Sequence, residues 1–169
     1  MKPLKEYLLN ESTVDSNMQP RKNKELKKLI ERLIRERGNE ADLNDIDTSK
    51  ITDMSELFSK SKFNGDISEW DVVNVKDMGF MFYNSAFNGD ISKWDVVNVK
   101  DMNSMFAYSK FISDISKWDV VNVKNMGFMF NQSEFNGDLS KWDVKNVKNM
   151  WDMFNDSPLE KNPPKWYKE

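Results

Sequence analysis

Two columns of aspartate, each repeated at a spacing of 24 residues, are the side chains in this sequence best placed to do chemistry. Asp47, Asp71, Asp95, Asp119 and Asp143 form the first, and Asp66, Asp90, Asp114 and Asp138 the second. Carboxylates brought close together serve acid–base catalysis, cation binding or ion-pair networks. Catalysis needs two carboxylates in unlike environments so that their pKa values separate, and repetition makes these equivalent. Calcium-binding repeats carry a denser Gly-Asp pattern than this chain has. Ion pairing with nearby lysines is the expected compensation, with backbone donors or a bound cation as the alternatives. Lys93, Lys117 and Lys141 stand two residues before an Asp of the first column, which on a strand is the same face. Neighbouring carboxylates on a parallel sheet would repel by about 1 to 3 kcal/mol at its spacing of about 4.8 Å. Lys93, Lys117 and Lys141 are therefore expected to interleave with Asp71, Asp95 and Asp119 as a self-neutralising concave strip.

Other chemistry is closed by composition. The 169 residues include no Cys and no His, so there is no disulfide, thiol nucleophile, Cys/His zinc site or imidazole base. No nucleophile, base and orienting group can be assembled without equivalent copies elsewhere. The expectation is a chain that is not an enzyme, with no catalytic residue, no metal and no cofactor. With 28 acidic against 25 basic side chains the net charge is -3, which gives no field to capture nucleic acid. No stretch approaches 18 apolar residues, so no membrane span is expected. The first residues lack the apolar run of a signal peptide. The cytoplasm or a virion is the expected location, with the cell surface as the alternative.

The repeat that creates the Asp columns runs through most of the chain. Trp70, Trp94, Trp118, Trp142 and Trp166 keep the same interval, as do Met54, Met78, Met102, Met126 and Met150, and Phe58, Phe82, Phe106, Phe130 and Phe154. A fixed period of this length means units that complete one another's core. Five units are read within residues 39 to 162. Within the second, Ile67-x-x-Trp70-x-Val72 resembles the opening of a leucine-rich repeat and predicts a strand over residues 69 to 73. Met78, Met81 and Phe82, at i, i+3 and i+4, predict a helical turn after it. Asn88-Gly89 predicts a tight turn of positive φ, which the third unit replaces with Ile112-Ser113. The fold class expected is an α/β repeat solenoid, leucine-rich-repeat-like, with one short parallel strand and one helical turn per unit.

The ends are expected to be caps. Leu26, Leu29, Ile30, Leu33 and Ile34 follow the spacing of an amphipathic helix over residues 21 to 38, with its Lys and Arg on the other face. Residues 1 to 20 form an N-terminal arm, and residues 163 to 169 a C-terminal cap begun by Pro163 and Pro164.

The motifs Asp-Ile-Ser-Lys-Trp-Asp-Val-Val-Asn-Val-Lys-Asp-Met-Asn-Ser-Met-Phe and Phe-Asn-Gly-Asp-Ile-Ser resemble the BspA-like leucine-rich repeats over about residues 39 to 157. That resemblance implies a surface or secreted bacterial protein implicated in adhesion, without catalytic activity. The opening Lys-Pro-Leu-Lys-Glu-Tyr-Leu-Leu-Asn-Glu-Ser is similar to N-termini of some bacteriophage proteins, which implies a phage-encoded chain.

Columns identical in every unit serve stacking, so a partner surface must lie where units differ. Phe80, Tyr83, Tyr108, Phe128 and Trp151 stand in such variable columns and are the expected partner-binding residues. The expected function is that of a non-catalytic binding or scaffold protein with a protein partner. A surface adhesin or glycan-binding module is the alternative.

Overall fold

A computed structural model describes residues 18–168; most of the expected N-terminal arm, and Glu169 of the C-terminal cap, lie outside the described residues. Among the described residues the regular elements are one α-helix, α1 (Asn23–Arg37), and a short 3-10 helix at Pro158–Glu160. No strand occurs among the described residues. Parallel pairing is confined to single bridges, Asp42 with Asp66, Asp53 with Asp77, Asp77 with Asp101, Asp101 with Asn125, and Asn125 with Asn149. The expected α/β repeat solenoid of leucine-rich-repeat type is therefore corrected. The units stack, but each is a chain of turns.

The two misread segments show why. Over residues 69 to 73 the backbone passes from one turn into the next, the Trp70 N–H donating to the Ile67 carbonyl at 3.2 Å and the Val75 N–H to the Val72 carbonyl at 2.9 Å. Over residues 78 to 85 the N–H groups of Met81, Tyr83 and Ser85 donate to the carbonyls three residues back. A helix would need every residue right-handed. Instead Phe80 (φ 57°) and Asn84 (φ 49°) are left-handed, at the third position of their turns, the signature of a type II turn. The same two positions are left-handed in every unit: Glu56, Phe80, Ser104, Phe128 and Asp152, then Lys60, Asn84, Tyr108, Gln132 and Asp156. Helix and turn ribbon bury the same i, i+3 and i+4 positions, so Met78, Met81 and Phe82 are fully buried either way.

Alternation of hand aims the peptides along the stack. The peptide joining Asp77 to Met78 accepts the Met54 N–H through its carbonyl and donates its own N–H to the Asp101 carbonyl. Met102 donates to Asn125 and Met126 to Asn149 in the same row, at 2.8 to 2.9 Å. Parallel rows run from Glu56, from Phe58 and from Lys60, each with its counterparts 24 residues on. In all four rows the N–H points toward the later unit. Two further sets, from Lys76, Lys100, Lys124 and Lys148 and from Ala86, Lys110 and Glu134, point back toward the earlier one. The bridge at Asp77 and Asp101 arises where a forward and a backward bond meet, and the left-handed Phe80 ends it before a ladder can form.

Side chains fix the remaining corners. The first Asp column accepts the backbone N–H two residues on, as in Val73 to Asp71, Val97 to Asp95 and Val121 to Asp119 at 3.1 to 3.2 Å. The second does the same for Ser68, Ser92, Ser116 and Ser140. These are Asx turns, which stand in for a backbone turn. Each Trp of the 24-residue column donates its indole N–H to the carbonyl 27 residues earlier, from Trp70 on Leu43 to Trp166 on Leu139. The Asn-Gly turns use no positive φ, since Gly38 is the one glycine in that region. At Gly89 a Cβ would lie 2.8 Å from the Phe87 ring and 3.1 Å from the Gly65 carbonyl. Glycine serves close packing there. Ser113 stands at that position in the third unit and donates to the Asn88 carbonyl.

The core is a double ladder of rings. Phe58, Phe82, Phe106, Phe130 and Phe154 stack with centroids 5.6 to 5.9 Å apart. Phe63, Phe87, Phe111 and Phe135 form a second ladder at 6.1 to 6.4 Å. Within a unit the two ladders touch at 4.2 to 4.8 Å. α1 closes the first unit through buried Leu26, Leu29, Ile30 and Leu33. Its Asn23 amide donates to the Ser55 carbonyl at 2.9 Å, and Arg37 forks onto Asp45 at 2.7 and 3.0 Å.

Two outcomes follow. Trp118→Phe removes the indole N–H donated at 3.1 Å to the Ile91 carbonyl, which keeps the Trp94 backbone N–H at 3.2 Å. Loss of that one hydrogen bond should cost about 0.5 to 1.5 kcal/mol in denaturant unfolding. Lys60→Gly should raise stability by about 0.5 to 1 kcal/mol. The left-handed conformation costs an L-residue about 1 to 2 kcal/mol, and the extra unfolded-state freedom of glycine returns part of it. A fall in stability would show that Lys60 carries something other than turn strain.

Candidate functional site

The turn ribbon places the left-handed residues along one edge of the stack. Phe80 (38% exposed), Tyr108 (44%) and Trp151 (69%) are on or beside those turns, while Tyr83 and Phe128 are half-buried. Phe80 packs on Tyr83 at 5.7 Å, and Tyr83 meets Tyr108 of the next unit edge-on at 5.4 Å. Phe128 packs on Trp151 at 5.3 Å. The five residues expected from sequence therefore fall into two groups, Phe80, Tyr83 and Tyr108 in one and Phe128 and Trp151 in the other. Gln132 donates to the Tyr108 hydroxyl at 3.3 Å. All the rings meet at 57° to 63°, so they present edges and faces together and no flat platform.

Ile112, 57% exposed, is a large apolar side chain on a different corner, in the column of Asn64, Asn88 and Asn136. Its backbone N–H accepts support from Asn88 by donating to Oδ1 at 2.8 Å. The replacement of Asn-Gly by Ile112-Ser113 is its signal in the sequence.

The strip of Lys93, Lys117 and Lys141 with Asp71, Asp95 and Asp119 does not interleave. Among the described residues the ion pairs are Lys27 with Glu56, Arg37 with Asp45, and Lys145 with Asp143. The Asp of that strip spend their carboxylates on backbone N–H groups. The lysines stand nearer the second column. Asp90, Asp114 and Asp138 are held below the usual carboxylate range first by the N–H and hydroxyl of the serine two residues on, then by Lys93, Lys117 and Lys141. Lys93 also shares a shallow groove with Asp66 and Asp90. Among the described residues no three carboxylates converge as a metal site would require.

A third column, Asp53, Asp77, Asp101, Asn125 and Asn149, went unread in the sequence. Each accepts the N–H two residues on. Asn149 donates to Asn125 at 2.9 Å and Asn125 to Asp101 at 2.9 Å, while Asn23 reaches Asp53 at 3.4 Å. Asp77, between two carboxylates, has the Gly79 N–H as its one donor among the described residues. Its pKa is raised, first by burial, then by Asp101 and Asp53.

A family model described as "Mycoplasma protein of unknown function, DUF285" matches residues 24–131 and 107–168. The chain belongs to the DUF285 family. This replaces the expected membership of the BspA-like leucine-rich repeats, whose strands the fold also lacks. The DUF285 match begins inside α1, so the helix falls within the matched region. No curated protein and no solved structure matches the chain. No helix among the described residues is long and apolar enough to cross a membrane.

Asp77→Asn gives a pH-dependent test of the third column. A carboxyl with a raised folded pKa binds its proton more tightly when folded, so its ionisation costs stability as pH rises through that value. Removing the charge should stabilise the chain at pH 7, with the gain vanishing below the unfolded value of about 3.9. Asp66, Asp90, Asp114 and Asp138 are lowered, so their contribution is lost as pH falls through their folded values. Thermal melts of both proteins across pH 3 to 8 read the difference. An Asp77→Asn curve parallel to the parent would refute the assignment.

Proposed function

We propose that this DUF285 chain is a non-catalytic binding scaffold whose protein partner docks on the aromatic turn edge. The observation that carries the reading is the exposure of Phe80, Tyr108 and Trp151 at positions where the other units, Phe128 apart, hold polar, charged or small residues. Stacking does not need an aromatic there, because Glu56, Ser104 and Asp152 make the same turn as Phe80. Rings held by neighbours offer large apolar area at low entropy cost, which is why such residues dominate many interfaces. The tilt between the rings favours a protein surface over the flat face of a sugar ring. The carboxylates of the first two columns are committed to turns in the same way, so those two columns offer no unlike pair for acid–base catalysis.

Affinity capture from cells making the tagged chain tests this. Phe80→Ala combined with Phe128→Ala should weaken recovery of the partner by about fivefold or more, the equivalent of about 1 kcal/mol, with an unchanged melting curve. Lys93→Glu combined with Lys117→Glu should leave recovery intact. Loss with the lysine variants alone would move the site to the Lys and Asp strip.

A further inference from the structure

Among the described residues the stack has two unlike end faces, and one of them is open. At the first unit the forward rows begin with carbonyls, and α1 lies over that face with Asn23 donating to Ser55. Leu43, Ile46, Ile51 and Met54 are buried beneath it. At the last unit the rows end with N–H groups. Met126, Phe128 and Gln132 donate to the carbonyls of Asn149, Trp151 and Asn155, but the N–H groups of Met150, Asp152 and Asp156 have no acceptor among the described residues. Apolar burial gives the same result independently. Val120, Val123 and Met126 are buried, whereas their counterparts Val144, Val147 and Met150 are only partly so. Trp166 and Tyr167 cover Phe154 and leave the rest. Between them and the turn ribbon lies a groove of about 820 Å³ lined by Lys148, Met150, Trp151, Asp152, Glu160 and Lys168, among others.

We infer that this face is a docking site for a polypeptide segment of a partner protein, which lays its backbone carbonyls on the free N–H row and an apolar side chain into the groove. The chemistry selects the occupant. N–H donors in a row require acceptors in a row, which a polypeptide edge supplies. A second copy is disfavoured in both orientations. Two such faces would oppose donor to donor, and the complementary carbonyl face lies under α1. An anion is opposed by Asp152, Asp156 and Glu160, and the two lysines and two carboxylates named in the groove balance, so the segment is uncharged. This site is separate from the aromatic edge and stands without it, although Trp151 borders both.

Amide exchange on the full chain, read by NMR, tests the face directly. In the free protein Met150, Asp152 and Asp156 should exchange at least tenfold faster than Met126, Phe128 and Gln132. Twelve-residue peptides selected by display against the full chain are then added. Expected are uncharged peptides that slow exchange at Met150, Asp152 and Asp156 tenfold or more and bind unchanged to the Phe80→Ala, Tyr108→Ala variant. Val147→Lys, at the edge of the apolar strip, should lose them. Slow exchange in the free chain would overturn the inference, as would selection yielding no binder, anionic peptides only, or binders that leave these amides unaffected. Loss of binding in the Phe80→Ala, Tyr108→Ala variant alone would place the peptides on the aromatic edge, defeating this inference while leaving the proposed function in place.

Discussion

The structure rests on one constraint, that each backbone N–H and carbonyl taken out of water must find a partner. A helix answers this within a segment and a sheet along a ladder. Five units of this chain do neither, and the forward peptide rows take their place. Much else follows from those rows. Aiming alternate peptides along the axis requires a left-handed residue twice per unit, so the turns recur with the rows. A row continues only if the next unit presents its carbonyl at the same point, which fixes the length of 24 residues without insertion. Residues that do not reach a row are served by side chains, the Asp of the Asx turns and the indoles of the 24-residue Trp column. The repetition of these polar columns is as strict as that of the Phe ladders because both answer to the same register.

Parallel rows also give the stack a direction. Four sets of peptides point their N–H toward the last unit and two point back, so a net dipole places partial negative charge at the first unit and partial positive charge at the last. The charged side chains are distributed to suit. Residues 21 to 38, across the carbonyl end, hold eight Lys or Arg against three Glu. Residues 152 to 160, at the N–H end, hold Asp152, Asp156 and Glu160 and no basic residue. α1 does more than bury leucines. It brings cations and the Asn23 amide to an end that would otherwise present bare carbonyls.

The register and the buried columns were legible because burial depends on period, and the Trp, Met and Phe intervals state that period outright. Secondary structure was not legible from the same residues. Met78, Met81 and Phe82 fall on one side of a helix and equally on one side of a turn ribbon, and the left-handed positions carry no warning, since Phe80, Glu56 and Lys60 are poor candidates for positive φ. The Asp columns misled for a related reason. A carboxylate that turns back on its own chain two residues away looks, in sequence, like one that faces a lysine. Only the backbone path tells the two apart. The open last face was hidden as well, because Met150 reads like Met126 until one sees that nothing follows it in the rows.

The left-handed residues explain why the aromatic edge can vary at all. In the column of Lys60, Asn84, Tyr108, Gln132 and Asp156 all five side chains are exposed, although their N–H groups occupy, or in Asp156 end, the same row. Backbone and side chain are thereby separated in what they do: the row constrains the N–H, and the side chain turns outward with no neighbour in the core to satisfy. Strain of about 1 to 2 kcal/mol at each such residue is then a cost of the architecture, borne in units with Glu or Lys as in those with Phe or Tyr. Left-handed Phe80 and Phe128 are thus no sign of function by their conformation. What marks them is identity, an apolar ring placed where the backbone would accept almost any residue and where glycine would be easiest. Phe80, Tyr108 and Trp151, exposed where the backbone asks for no ring, are for that reason the residues on which the proposed docking rests.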